Sequence, residues 1–72
     1  MPKFFEQLAE ILEVPATSIS LEMDFRKDID DWDSMKGFSV LILLEDEYGV
    51  ILDIPDFLSI STVGELFAKV KQ

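Results

Sequence analysis

Five consecutive apolar residues, Val40-Leu41-Ile42-Leu43-Leu44, lie midway between Asp33 and Gly49 and constrain the fold more than any other feature of the chain. The run is far too short to span a bilayer. Apolar residues continue around it at helical spacing through Met35, Phe38, Leu41, Leu44 and Tyr48, which predicts an α-helix. Asp33 is placed to accept a hydrogen bond from a first-turn amide, and Gly49 suits a left-handed C-cap. The centre of this helix is apolar around its whole circumference, where a simple surface helix shows only a stripe. Part of it must be buried against other elements, and part is free to face partners.

The rest of the chain supplies those elements. Phe4, Phe5, Leu8, Ile11 and Leu12 recur at helical spacing, predicting a first helix over residues 3–13 that ends at Val14-Pro15. Residues 14–33 keep no period, but Ile19, Leu21, Phe25 and Ile29 are spaced as anchors for an irregular connection, with a short turn near Thr17 to Ser20. A connection of that length usually has a function or conceals an element. Pro55 to Leu58 reads as a short third helix. Thr62-Val63-Gly64-Glu65 reads as a capping box opening a fourth, with Val63, Leu66, Phe67 and Val70 facing inward. Only Val50-Ile51-Leu52 suggests extended chain. The expected fold is all-α: a small four-helix bundle with a long first loop and a short third helix, one domain over residues 1–72. Gly37, inside the second helix at a cost of ~1 kcal/mol relative to alanine, implies close packing there.

At 72 residues the chain buries only about 60% of its unfolded surface, leaving little room for a deep enzymatic cleft. With 49% hydrophobic residues it is globular despite a net charge of −9. Fifteen acids against six bases argue against nucleic acid and for basic protein surfaces as partners. No segment is long enough for a membrane span, and Met1-Pro2-Lys3-Phe4-Phe5 lacks the features of a signal peptide, so a cytoplasmic location is expected. A monomer is expected as well. The chain has no cysteine and no histidine, which removes disulfides, zinc-thiolate sites and the commonest general base and metal ligand. No enzyme activity, catalytic residue or metal site is expected. What remains is Ser34, one residue into the apolar helix behind an acid-rich loop. It has no partner that could activate it as a nucleophile, and it reads as a tethering point.

Phe25, Asp28-Ile29, Asp31-Trp32-Asp33-Ser34-Met35, Leu44-Glu45-Asp46-Glu47-Tyr48-Gly49-Val50 and Ile60-Ser61-Thr62-Val63-Gly64-Glu65-Leu66 together resemble an acyl carrier protein, nearly end to end. The resemblance implies that Ser34 carries a 4′-phosphopantetheine arm derived from coenzyme A, with Met35 in place of the usual leucine. It implies that Asp31, Asp33 and Met35 serve recognition by a phosphopantetheinyl transferase, the acids attracting its basic surface and helping to place its metal ion. Glu45, Asp46 and Glu47 match the acidic end of the second helix, which docks on acyl-loading and acyl-transfer enzymes in fatty acid or polyketide-like biosynthesis.

The anionic graft suits a helix N-terminus, where free amides and the dipole favour negative charge. An acid cluster at the helix C-terminus opposes the dipole, which points to another reason for its presence. Lys36 and Ser39 stand where fatty-acid-type carriers place acids, putting a positive point beside the serine. With Trp32, they resemble a stand-alone specialised carrier. Each residue also has a plainer reading: Asp33 a cap, Trp32 a loop anchor, the three acids a solvated helix end. A cargo cavity, if the bundle opens between the second and fourth helices, would be bordered by Leu41, Leu44, Leu66 and Ala68, with Phe38 and Phe67 as fillers. The alternative function is an unmodified acidic helical protein-interaction module with the carrier fold.

Overall fold

A computed structural model describes residues 2–71 of the chain; Met1 and Gln72, the two ends of the expected 1–72 domain, lie outside the described residues. Four helices follow in order: α1 (Lys3–Leu12), α2 (Ser34–Tyr48), α3 (Ile54–Ser59) and α4 (Val63–Val70). The molecule is the expected all-α bundle with a long first loop and a short third helix. A 3-10 turn occupies Ala16–Ser18, overlapping the turn expected near Thr17 to Ser20.

Helix ends follow local chemistry. Helix α1 stops at Leu12 because Glu13 turns to a left-handed φ of 60°, its amide closing on the carbonyls of Ala9 and Glu10. Asp33 caps α2 by accepting from the Lys36 amide at 2.9 Å. Gly49, at φ 67°, donates to the Glu45 carbonyl at 3.1 Å, and Val50 donates to that of Leu44 at 2.8 Å, closing the C-terminal turn of α2. Helix α4 opens with a full capping box between Thr62 and Glu65.

The core is built from Phe4, Leu8 and Leu12 of α1, Val40, Leu43 and Leu44 of α2, Phe57 of α3, and Val63 and Leu66 of α4. Phe4 stacks on Phe67 at 5.9 Å and meets Tyr48 edge-on at 5.6 Å, joining α1, α2 and α4. The buried side of α2 is Gly37, Val40, Leu43 and Leu44. Met35 and Phe38, which continue the helical spacing of the run, are 76% and 58% exposed, and Ile42 is exposed as well. An all-round apolar helix contains more than one apolar stripe, and only its neighbours decide which is covered.

In the first loop Ile19, Phe25 and Ile29 are buried as expected, but Leu21 is largely exposed and acts through its backbone. Its carbonyl accepts from the Gly64 amide at 2.9 Å, and that of Met23 accepts from Val63 at 2.9 Å. These are first-turn amides of α4 with no partner inside the helix. Phe25 donates to Ser61 at 3.3 Å, and an isolated bridge pairs Asp24 with Thr62. The loop is therefore fastened to the start of α4 by main-chain bonds that leave no side-chain period. Val50-Ile51-Leu52 forms no strand.

Within the loop, the Asp24 carboxylate accepts from the amides of Lys27 and Arg26 at 2.8 and 2.9 Å, which holds its pKa below the ordinary value. Arg26 then reaches α3. Its guanidinium donates to the carbonyls of Ile60 at 2.5 Å and Phe57 at 2.6 Å, and lies 4.7 Å from the Phe25 ring centre and 4.8 Å from that of Phe57.

Candidate functional site

Ser34 is the first residue of α2 and is exposed, immediately after the cap residue Asp33. Beside it opens a pocket of about 300 Å³. Trp32, Gly37, Phe38 and Leu41 form one side of that pocket, and Ile54, Phe57 and Leu58 form the other. Gly37 widens the hollow, because it places no side chain between Trp32 and Phe57. A β-carbon there would meet Trp32 Cζ2 at 3.4 Å and Phe57 Cε2 at 3.7 Å. Trp32 is thus both a loop anchor, edge-on to Phe25 at 5.9 Å, and a pocket wall.

This corrects the expected location. The hollow lies between α2 and α3, not between α2 and α4: Leu44 and Leu66 are fully buried in the core, Ala68 is exposed, and Leu41 alone of the four borders it. Phe4, reaching from α1 to Tyr48 and Phe67, fills the α2–α4 side. Of the expected fillers, Phe38 lines the pocket and Phe67 belongs to the Phe4 stack.

The acids fall into two groups. Asp31 and Asp33 precede Ser34 and are exposed. At about 100° per residue, Glu45 returns to nearly the same side of α2 as Ser34, about 16 Å along its axis, with Asp46 about 100° further round the helix and also exposed. Glu47 rotates toward α1, where Gln7 donates to it at 3.2 Å. Gln7 in turn accepts from the Tyr48 hydroxyl, whose pKa is raised by burial and by the Glu47 charge.

Lys36 is not the outward positive point the sequence suggested. Its ammonium lies 3.1 Å from Glu13 and 3.5 Å from Asp31, and its side chain is 11% exposed. The hydrogen bond to Glu13 raises its pKa against the opposing effect of burial.

The Ser34 end of the molecule also shows features that periodicity missed. Phe38 and Ile42 of α2 and Ile54 and Leu58 of α3 are large exposed apolar side chains. Their spacing was readable, but not their exposure. Arg26, a base in an acidic loop next to Phe25, was a signal left unused.

Chemically, the arrangement offers an accessible hydroxyl at a helix N-terminus with an apolar hollow beside it, a setting that accommodates a covalent anionic tether. Among the described residues no group of acids is arranged to hold a metal ion, and no helix is long and apolar enough to cross a membrane.

Comparison with known proteins agrees with this geometry. The family model for the phosphopantetheine attachment site matches residues 3–70, which is nearly the whole chain. Searches of curated proteins and of solved structures return no significant match. A match of that extent, on a helical bundle with an exposed serine opening α2, establishes that the chain belongs to the phosphopantetheine-attachment family, carrier domains whose prosthetic group is 4′-phosphopantetheine and which interact with biosynthetic enzymes.

Proposed function

We propose that the protein is a non-catalytic acyl carrier of a single domain, with Ser34 as the residue that bears 4′-phosphopantetheine. The observation that carries this reading is the placement of an exposed Ser34 in the first turn of α2 at the edge of an apolar pocket. When bound, the arm supplies a terminal thiol that holds the cargo as a thioester. The chain's own residues do the rest. Ser34 Oγ provides the anchoring oxygen, and the helix N-terminus accommodates the phosphodiester charge. Trp32, Phe38, Leu41 and Leu58 offer a dry surface to an apolar cargo. With no cysteine in the chain, no internal thiol competes for the activated acyl group.

Asp31, Asp33 and Met35 are assigned to recognition by the phosphopantetheinyl transferase, and Glu45 and Asp46, with Glu47 at the margin, to docking of acyl-loading and acyl-transfer enzymes. Exposure of Asp31, Met35, Glu45 and Asp46 supports this division. The setting proposed is a cytoplasmic monomer in fatty acid, polyketide-like or specialised biosynthesis.

The test is intact mass after incubation with coenzyme A and a broad-specificity phosphopantetheinyl transferase. A gain of one phosphopantetheine in the native chain and none in Ser34→Ala, with equal helicity by circular dichroism, is the expected result. A folded native chain that gains no mass returns the protein to the unmodified interaction-module reading. A gain that persists in Ser34→Ala means a different attachment residue.

A further inference from the structure

Lys36 is the only basic residue of α2, two positions after Ser34, and its side chain turns toward the end of α1. Its backbone amide is held by Asp33 at 2.9 Å. Its ammonium bridges Glu13, at the end of α1, and Asp31, in the acidic loop. The bridged carboxylates are 70% and 72% exposed, while the lysine that neutralises them is 11% exposed. A partner therefore meets the acids but not a free ammonium. Ion pairs with exposed carboxylates add little to stability, so this one's main consequence is local charge: Glu13, Asp31 and Lys36 sum to −1, and the same group without the lysine charge to −2.

From this geometry we infer that Lys36 is a specificity-determining residue: by occupying Asp31 and Glu13 it weakens the attraction of strongly basic partners to the Ser34 end of α2. Transferases whose docking depends least on these two carboxylates are the least affected. The inference rests on the reading of Ser34 as the attachment residue. The net charge of −9 attracts any basic surface from a distance. Lys36 acts at closer range, on the acids nearest the serine, so its effect is on encounter and is screened by salt. It is a positioning and charge-setting residue, with no contact to the reacting oxygen required.

The experiment follows the time course of mass gain with coenzyme A and a transferase of strongly basic surface, for the native chain and for Lys36→Gln, at low and high salt. The expected result is a kcat/KM about threefold higher for Lys36→Gln at low salt, carried by KM, with the difference fading at high salt. Lys69→Gln, in the last turn of α4, changes the net charge equally and is expected to leave the low-salt rate near that of the native chain. Lys36→Met, which keeps an apolar stem beneath the loop, repeats the test should Lys36→Gln loosen the fold. A rate at low salt that is unchanged or lower in the folded Lys36 variant overturns the inference, as does an equal rise in Lys69→Gln. A native chain that gains no mass at all overturns the reading of Ser34, and this inference with it, and is distinguished by that outcome alone.

Discussion

Arg26 donates to the Phe57 carbonyl at 2.6 Å while its guanidinium lies 4.8 Å over the ring of the same residue, so one side chain from the first loop holds both the backbone and the face of α3. A second bond, to Ile60 at 2.5 Å, secures the carbonyl just past the helix. Helix α3 is a six-residue segment, and isolated helices of that length do not persist in water. The wall of the pocket beside Ser34 is thus held in place from a distance in sequence. Replacing Arg26 by Met is expected to cost about 2 kcal/mol, the range for hydrogen bonds made by a charged donor. Arg26→Lys should restore only about half, because an ammonium cannot reproduce the planar fork that reaches two carbonyls. Urea denaturation measures the loss, and faster exchange of the Ile60 amide, which bonds to Phe57 at 3.1 Å, localises it to α3.

Two glycines should respond to alanine with opposite signs. At Gly64 the new β-carbon would stand 3.0 Å from the Leu21 carbonyl oxygen, backbone that is itself bonded to the Gly64 amide. Gly64→Ala is expected to cost about 1–2 kcal/mol through overpacking. At Gly37 the nearest atom is Trp32 Cζ2 at an ordinary contact distance of 3.4 Å. Gly37→Ala should stabilise by about 0.5 kcal/mol, most of the helix-propensity gain, while narrowing the pocket. Denaturation midpoints of the two variants decide both signs.

Asp33 combines a measurable cap with a proposed recognition role, and two variants separate them. Asp33→Ala is expected to lose about 1 kcal/mol of stability. Asp33→Asn keeps an acceptor for the Lys36 amide and should stay within a few tenths of the native value. The recognition role predicts that Asp33→Asn nevertheless slows modification of Ser34 severalfold; an unchanged rate in that variant assigns Asp33 to capping alone.

The three acids at the end of α2 are expected to behave unequally. Reversal of Glu45 and Asp46 to lysine should slow acyl loading through association rate, with a salt dependence to match. Glu47, which receives a hydrogen bond from Gln7 of α1, should show the smaller kinetic effect when reversed. Loading rates measured across a salt series test the order; equal effects of all three would place Glu47 in the docking face.

Stability should depend on acid through Glu65. The amides of Thr62 and Ser61, at 3.0 and 3.1 Å, hold its pKa below the ordinary 4.5. A carboxyl whose pKa is lower in the folded state adds stability above its unfolded value and loses it as pH falls through the folded one. The destabilisation caused by Glu65→Gln is therefore expected in full above 4.5 and to shrink below it. Relief of repulsion among the fifteen acids affects both proteins almost alike, so the difference in melting temperature isolates the effect. Lys36 works at the other end of the scale. Its raised pKa gives stability that is present below 10.5 and is lost as pH rises through the folded value.

The elements of this protein were legible in the sequence because their signals are local. Asp33 and Thr62 satisfy amides within three residues of themselves, and Gly49 provides a left-handed turn wherever it stands; these alone place the starts of α2 and α4 and the end of α2. The serine at the head of α2, the acidic balance and the absence of cysteine and histidine are equally direct, and they point to a tether from the sequence alone. The tertiary structure decided which apolar stripe of α2 is covered, since Val40 and Ile42 are indistinguishable by period. It also decided where the hollow lies, since that depends on Phe4 reaching Phe67 and on Gly37 facing Trp32. The direction of Lys36 belongs to the same class, because its partner Glu13 is 23 residues away. Caps and turns act over a few bonds of chain, whereas burial and charge pairing act through space between segments whose approach is a property of the whole fold.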